Sequence, residues 1–138
     1  EVDDDLNFYI FSDTRTRKVF HTNTNPKVAV LLYHPNKKVQ IRIKGEATVH
    51  QRDEVSTTMW PRVQGDGKKA YNPTIAPGSR IAHPEEAHQW PETMNDENFT
   101  VIKISPTYID ALQLNAQEHL RVEFSKTNDD WEMNWIAP

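Results

Sequence analysis

Three hydroxyls, Ser12, Thr14 and Thr16, stand among the cations Arg15, Arg17 and Lys18, just after the apolar run that begins at Phe8. The order reads as a strand, a hydroxyl- and base-rich turn, and a short helix that ends at Asn25 and Pro26. It gathers side-chain hydroxyls, unpaired backbone N–H groups and positive charge in one small volume. A helix N-terminus so equipped favours phosphate, because its first amides lack partners and the positive end of its dipole lies there. Arg adds forked donors and Lys a point charge. A phosphorylated ligand would place its phosphate here. The plain alternative is a solvated helix start capped by threonines, and spacing alone does not separate the two.

The background makes the cluster stand out. The 138 residues carry a formal charge of −4, which argues against a broad nucleic-acid or anionic-membrane surface and for a local anion site. With no cysteine in the chain, thiolate nucleophiles, disulfides and Cys-zinc sites are excluded, and a cytoplasmic location is the expectation. His83 and His88 flank Glu85 and Glu86 at no ligand spacing, so no metal is expected. Gly-x-Ser-x-Gly, His-Glu-x-x-His and Gly-x-Gly-x-x-Gly are absent. No window is apolar enough to span a membrane.

Period-two alternation locates the elements that must hold these residues. Val39, Ile41, Ile43, Gly45, Ala47 and Val49 alternate with Gln40, Arg42, Lys44, Glu46 and Thr48, as in a long half-buried strand. Lys27–Tyr33 is apolar on both faces, and the turn His34–Lys37 joins the two into an antiparallel hairpin. Further strands are expected at Phe99–Ile104 and Tyr108–Leu114, parted by Ser105 and Pro106, then at Leu120–Ser125 and, after a turn at residues 128–130, at Trp131–Ile136. Asp53–Val63 reads as a short helix ended near Pro61, Gly65–Tyr71 as a second helical turn, and 72–98 as a long loop. The fold expected is mainly β, a single domain over 1–138, with about six antiparallel strands closing into a small barrel flanked by short helices. Trp131 and Trp135 share a face of the last strand, where burial in the core or a dimer interface is expected. His34 and His50 are expected at the surface, and Trp60 in packing or at the approach to a substrate.

Four segments carry a resemblance. Phe11–Asp13 with Thr16–Lys18, then Asn25–Leu31, then Val39–Ala47, and finally Arg121–Phe124 with Trp131–Pro138, resemble in order the pyridoxamine 5′-phosphate oxidase-like, FMN-binding split-barrel family, and most of all its short, poorly characterised flavoproteins. The resemblance implies a split-barrel homodimer with FMN in a cleft between subunits. It implies that Phe11 and Ser12 contact the flavin, that Arg17 and Lys18, beside Thr16, grip its phosphate, that Gln40 reaches the ring, and that Arg121 lies near it. From the pattern alone, Gln40 and Arg42 are simply outward residues of an alternating strand, and Arg42 is read as structural or at the dimer contact.

The departures bear on the reaction. Where the oxidase holds its substrate with an Arg two residues before a His, this chain has Gln117 before His119. A flavin-side tryptophan has no counterpart around Asp110–Leu112, and an Arg-rich strand expected before Phe8 has no match, as if an N-terminal strand were missing. Oxidation of pyridoxamine 5′-phosphate itself is therefore not expected. The expectation is an FMN-dependent oxidoreductase of unidentified substrate, with His119 the one candidate for proton transfer. The alternatives are a non-catalytic flavin-binding or stress-associated module, or a split barrel binding F420 or haem.

Overall fold

The structure is a computed structural model that describes residues 1–115, 117–128 and 130–138. Six strands, β1 (Phe8–Asp13), β2 (Lys27–His34), β3 (Val39–His50), β4 (Phe99–Gln113), β5 (Leu120–Thr127) and β6 (Asp130–Trp135), form one antiparallel sheet. Its order is β2-β3-β4-β5-β6, with β1 also on β4. The first half of β4 pairs with β1 and the second half with β5, while β3 runs along its other edge throughout. The helix α1 (Arg17–Thr24) links β1 to β2. The helix α2 (Glu54–Met59) continues into 3-10 turns at Trp60–Arg62 and Gly65–Tyr71.

One expected break is absent. Residues 99–113 form a single strand across Ser105 and Pro106, not two. Gly45 faces Pro106 and Lys44 faces Tyr108, so Thr107 is an extra residue in the ladder. A bulge of this kind accommodates a proline that cannot donate to the ladder. It also moves the inward phase from Ile102 and Ile104 to Ile109 and Ala111, and that phase slip is what imitates a strand end in the sequence. Gly45 is required there: a Cβ on it would lie 2.3 Å from the Ser105 carbonyl oxygen.

Apolar residues on the two faces of the β1–β4 region make two cores. On one face Val19 of α1 packs with Ala47, Ile102 and Ile104, joined by Phe8, Ile10, Val28 and Val30. Side chains of β1 and β2 thus pack against one shared cluster, although these two strands are not hydrogen-bonded neighbours. On the other face Phe99 and Val101 pack under Met59 and Val63, with Phe11, Trp60 and Tyr71 closing the cluster.

In the other half of the sheet, no side chain of β5 or β6 among the described residues joins either core. Two cross-strand rows there are wholly apolar: Leu32–Ile41–Ala111–Val122–Trp135 and Val30–Ile43–Ile109–Phe124–Met133. Trp135 is 66% exposed and Met133 53%, so the expected burial of this end of β6 in the chain's own core is not found. Trp131 is half-buried. Asp129, in the turn expected at 128–130, lies outside the described residues.

The segment 72–98 contains one 3-10 turn, Pro84–Ala87, and is fastened at both ends. Buried Asn72 donates to the Asn95 carbonyl and accepts from the Asn95 amide. The Trp90 indole donates to the Lys69 carbonyl.

Candidate functional site

The turn after β1 is held by its own polar groups. Thr16 Oγ1 donates to the Asp13 carbonyl at 2.8 Å, and the Ser12 and Thr16 hydroxyls are 3.2 Å apart. Ser12 is buried. These bonds set Thr16 at the N-cap position of α1, yet no side chain caps the helix. The first amides of α1 therefore keep their donors. Arg17 and Lys18, its first two residues, are exposed and have no side-chain partner among the described residues. Ser12, Thr16, Arg17 and Lys18 are thus brought together as the sequence suggests.

Arg15 leaves the cluster. Its guanidinium binds buried Asp13 through Nε and Nη2 at 3.0 and 2.7 Å, and Nη2 also reaches the Pro73 carbonyl. The pair ties the turn to the start of the 72–98 segment. Phe11 also leaves it, because β1 alternates. Its ring points away from Ser12 into the second core, 5.3 Å from the Phe99 ring. Trp60 is in that core as well, 5.1 Å from Phe99, with the Lys68 ammonium over its ring.

Gln40 and Arg121 form a second group. Both flank Leu112, in the row Tyr33–Gln40–Leu112–Arg121 on the face opposite the apolar rows. Two strand spacings place their backbones about 10 Å apart. Arg121 is clamped by Asp110, with Nε to Oδ1 at 3.0 Å and Nη2 to Oδ2 at 2.9 Å. That ion pair holds the Asp110 carboxyl below the usual range against the upward push of burial, and Arg42 and Lys44 add to the effect. In the sequence, Asp110 stands out only as part of the region 110–112, where a flavin-side tryptophan has no counterpart. The signal that could have found it is a carboxylate inside the otherwise apolar run 108–114. His119 is exposed just before β5, two residues from Arg121.

The two groups lie at opposite ends of the chain's own sheet. Asp13 faces Phe99 and His50 faces Val101, so α1 starts at the His50 end of β3. Gln40 is ten residues away along that strand, about 33 Å of extended chain. A cleft of about 520 Å³ between residues 4–7, Ser105, Pro106, Lys126 and Trp131 holds neither group.

His50 differs from its expected surface position. Its ring is mostly buried, with Nδ1 2.7 Å from Asp53 Oδ2 and Nε2 enclosed without a partner among the described residues. Asp53 in turn caps α2 by accepting from the Ser56 amide. Burial raises the Asp53 carboxyl, but the Ser56 amide and the His50 ring together outweigh it and hold the carboxyl below the usual range. His34 is exposed as expected, its Nδ1 accepting from the Lys37 amide.

Comparison with known proteins gives the class. Residues 2–113 match the model of the pyridoxamine 5′-phosphate oxidase family, and the chain belongs to that family. Arg121 and His119 lie beyond the matched residues. Two solved structures share the fold over the whole chain. A pyridoxamine 5′-phosphate oxidase-related, FMN binding protein from Nostoc punctiforme is 21% identical, with a TM-score of 0.80 and 76% of its own chain covered. PhzG from Burkholderia lata, solved with tetrahydrophenazine-1-carboxylic acid, is 16% identical, with a TM-score of 0.77 and 71% covered. The expected fold class, a mainly β split barrel of six antiparallel strands, is the one found. No protein of curated function matches the sequence. Among the described residues no helix is long and apolar enough to cross a membrane.

Proposed function

We propose that this chain binds FMN as a homodimer and serves as a cytoplasmic FMN-dependent oxidoreductase whose substrate is not pyridoxamine 5′-phosphate. The observation that carries the reading is the uncapped start of α1, with Arg17 and Lys18 free of side-chain partners among the described residues, beside the Ser12–Thr16 hydroxyl pair. These groups suit a phosphate dianion: open amides, two cations and hydroxyls already oriented by the backbone. FMN would supply hydride or electron transfer, which no side chain of this protein can perform. The protein's part is to anchor the phosphate, offer Gln40 and Arg121 to the polar edge of the ring, and exclude water.

The separation of the two groups supports two chains per site. One subunit's α1 would meet the other's Gln40 and Arg121, since a single chain holds them at opposite ends of β3. The exposed ends of the apolar rows, Met133 and Trp135 with Leu32, offer apolar surface that such a dimer would bury. Gln117 in the place of the oxidase's arginine, and the lack of a tryptophan counterpart around Asp110–Leu112, support a different substrate or none. A module that binds flavin without turnover is therefore the second reading.

Visible absorbance near 450 nm after incubation with FMN, on the order of what flavins show generally, tests the cofactor. Replacing Arg17 and Lys18 together by Ala should weaken FMN at least ~100-fold, at about 1.5–3 kcal/mol for each charge-assisted hydrogen bond. Unchanged affinity would refute the phosphate site. Rapid reduction by NADPH or NADH in stopped flow supports the oxidoreductase, and no reduction supports the passive binder.

A further inference from the structure

Arg121 and Asp110 interact more tightly than a surface ion pair on a sheet usually does. Asp110 lies diagonally below Arg121, its side chain 7% exposed against 31% for the arginine. Nε and Nη2 are both committed to it, while Nη1 has no partner among the described residues. Glu123, the other carboxylate within reach, is directly across from Asp110 but is engaged by the Tyr108 hydroxyl at 2.9 Å. Arg42 lies directly across on β3, so the carboxylate sits between two cations and stays ionised. A long, flexible side chain is thereby reduced to one plane with one pair of outward donors.

We propose that Asp110 is a positioning residue for the flavin, a role that rests on the proposed FMN site. It aims the Nη1 donors of Arg121 along the row that also holds Gln40. It also neutralises much of the guanidinium charge, so that a ligand meets an oriented donor rather than a bare cation. A bare cation beside the ring would favour the reduced, more negative cofactor. Asp110 therefore lowers the midpoint potential of the bound flavin.

The test compares the FMN-loaded full chain with Asp110→Asn, Arg121→Gln and the double variant. Asp110→Asn should move the midpoint potential to more positive values, and the move should disappear in the Arg121→Gln background. An unchanged potential with FMN bound would overturn the proposal, as would an equal shift in the absence of Arg121. Nitrogen-15 NMR of the Arg121 Nε–H reads the pairing without flavin: protected in the parent protein, fast-exchanging in Asp110→Asn. If the parent takes up no FMN, the functional reading fails and the flavin role with it, even where that resonance shows the clamp intact. Should Asp110→Asn not fold, Arg121→Lys keeps the cation and loses the fork. It should weaken FMN about tenfold, and full affinity would overturn the need for orientation.

Discussion

The two halves of the sheet carry similar apolar side chains but have opposite surroundings. Around β1 and the first half of β4, α1 closes one face and α2 with its 3-10 turns closes the other, and Phe99, Val101 and Ile104 are almost fully buried. Among the described residues no side chain of β5 or β6 joins either core, and Leu120, Met133 and Trp135 are exposed. The first half is a core that the chain completes by itself. The second has the residues of a core on one face and an ordered polar array, with Gln40, Arg42, Asp110 and Arg121, on the other. The contrast separates what stabilises the subunit from what is offered to something else.

The sharpest break in that picture would come at the bulge joining the halves. Gly45→Val would push a side chain into the Ser105 carbonyl and should cost at least ~3 kcal/mol in urea denaturation. Gly67→Ala, whose Cβ would sit 3.4 Å from a Val63 methyl, should be nearly silent in the same assay. Within the covered half, Phe99→Ala should cost about 3–5 kcal/mol. Trp135→Ala in the uncovered half should change subunit stability by under ~1 kcal/mol. If the proposed dimer forms through this face, sedimentation equilibrium should instead show it dissociating at higher protein concentration in the variant. Equal destabilisation by the two truncations would erase the distinction.

A smaller effect probes the rim of the covered half. Asp53→Ala removes the α2 cap and should cost about 1 kcal/mol. Because the folded carboxyl titrates below its unfolded value, this contribution is present above about pH 4 and is lost as pH falls through the lower folded pKa. The parent and Asp53→Ala proteins should therefore differ in stability at pH 6 and converge as the pH drops below 4. A constant difference would assign the effect to packing.

Much of this architecture was legible in the residues. Alternation in 39–49 needs only local chain geometry, since successive side chains of a strand point to opposite faces, and it placed β3 within a residue at either end. The short helix expected over Asp53–Val63 is found as α2 and the 3-10 turn that follows it through Pro61, also a local matter. The anion cluster was legible in composition, but its membership was not. Arg15 belongs to Asp13 and Pro73, a partner 58 residues away along the chain. Phe11 belongs to the second core because of the strand's phase against β4. The continuity of β4 was hidden by Pro106, whose bulge depends on Gly45 sitting opposite.

By itself, then, the sequence determined the strands other than the continuity of β4, the helices α1 and α2, and the chemistry available at residues 12–18, because each rests on bonding between near neighbours. The tertiary structure alone decided which cations remain unpaired, that Asp110 clamps Arg121, and that Gln40 and Arg121 share a face far from α1. Those outcomes follow from register across strands, where a shift of one residue would exchange every inward side chain for an outward one.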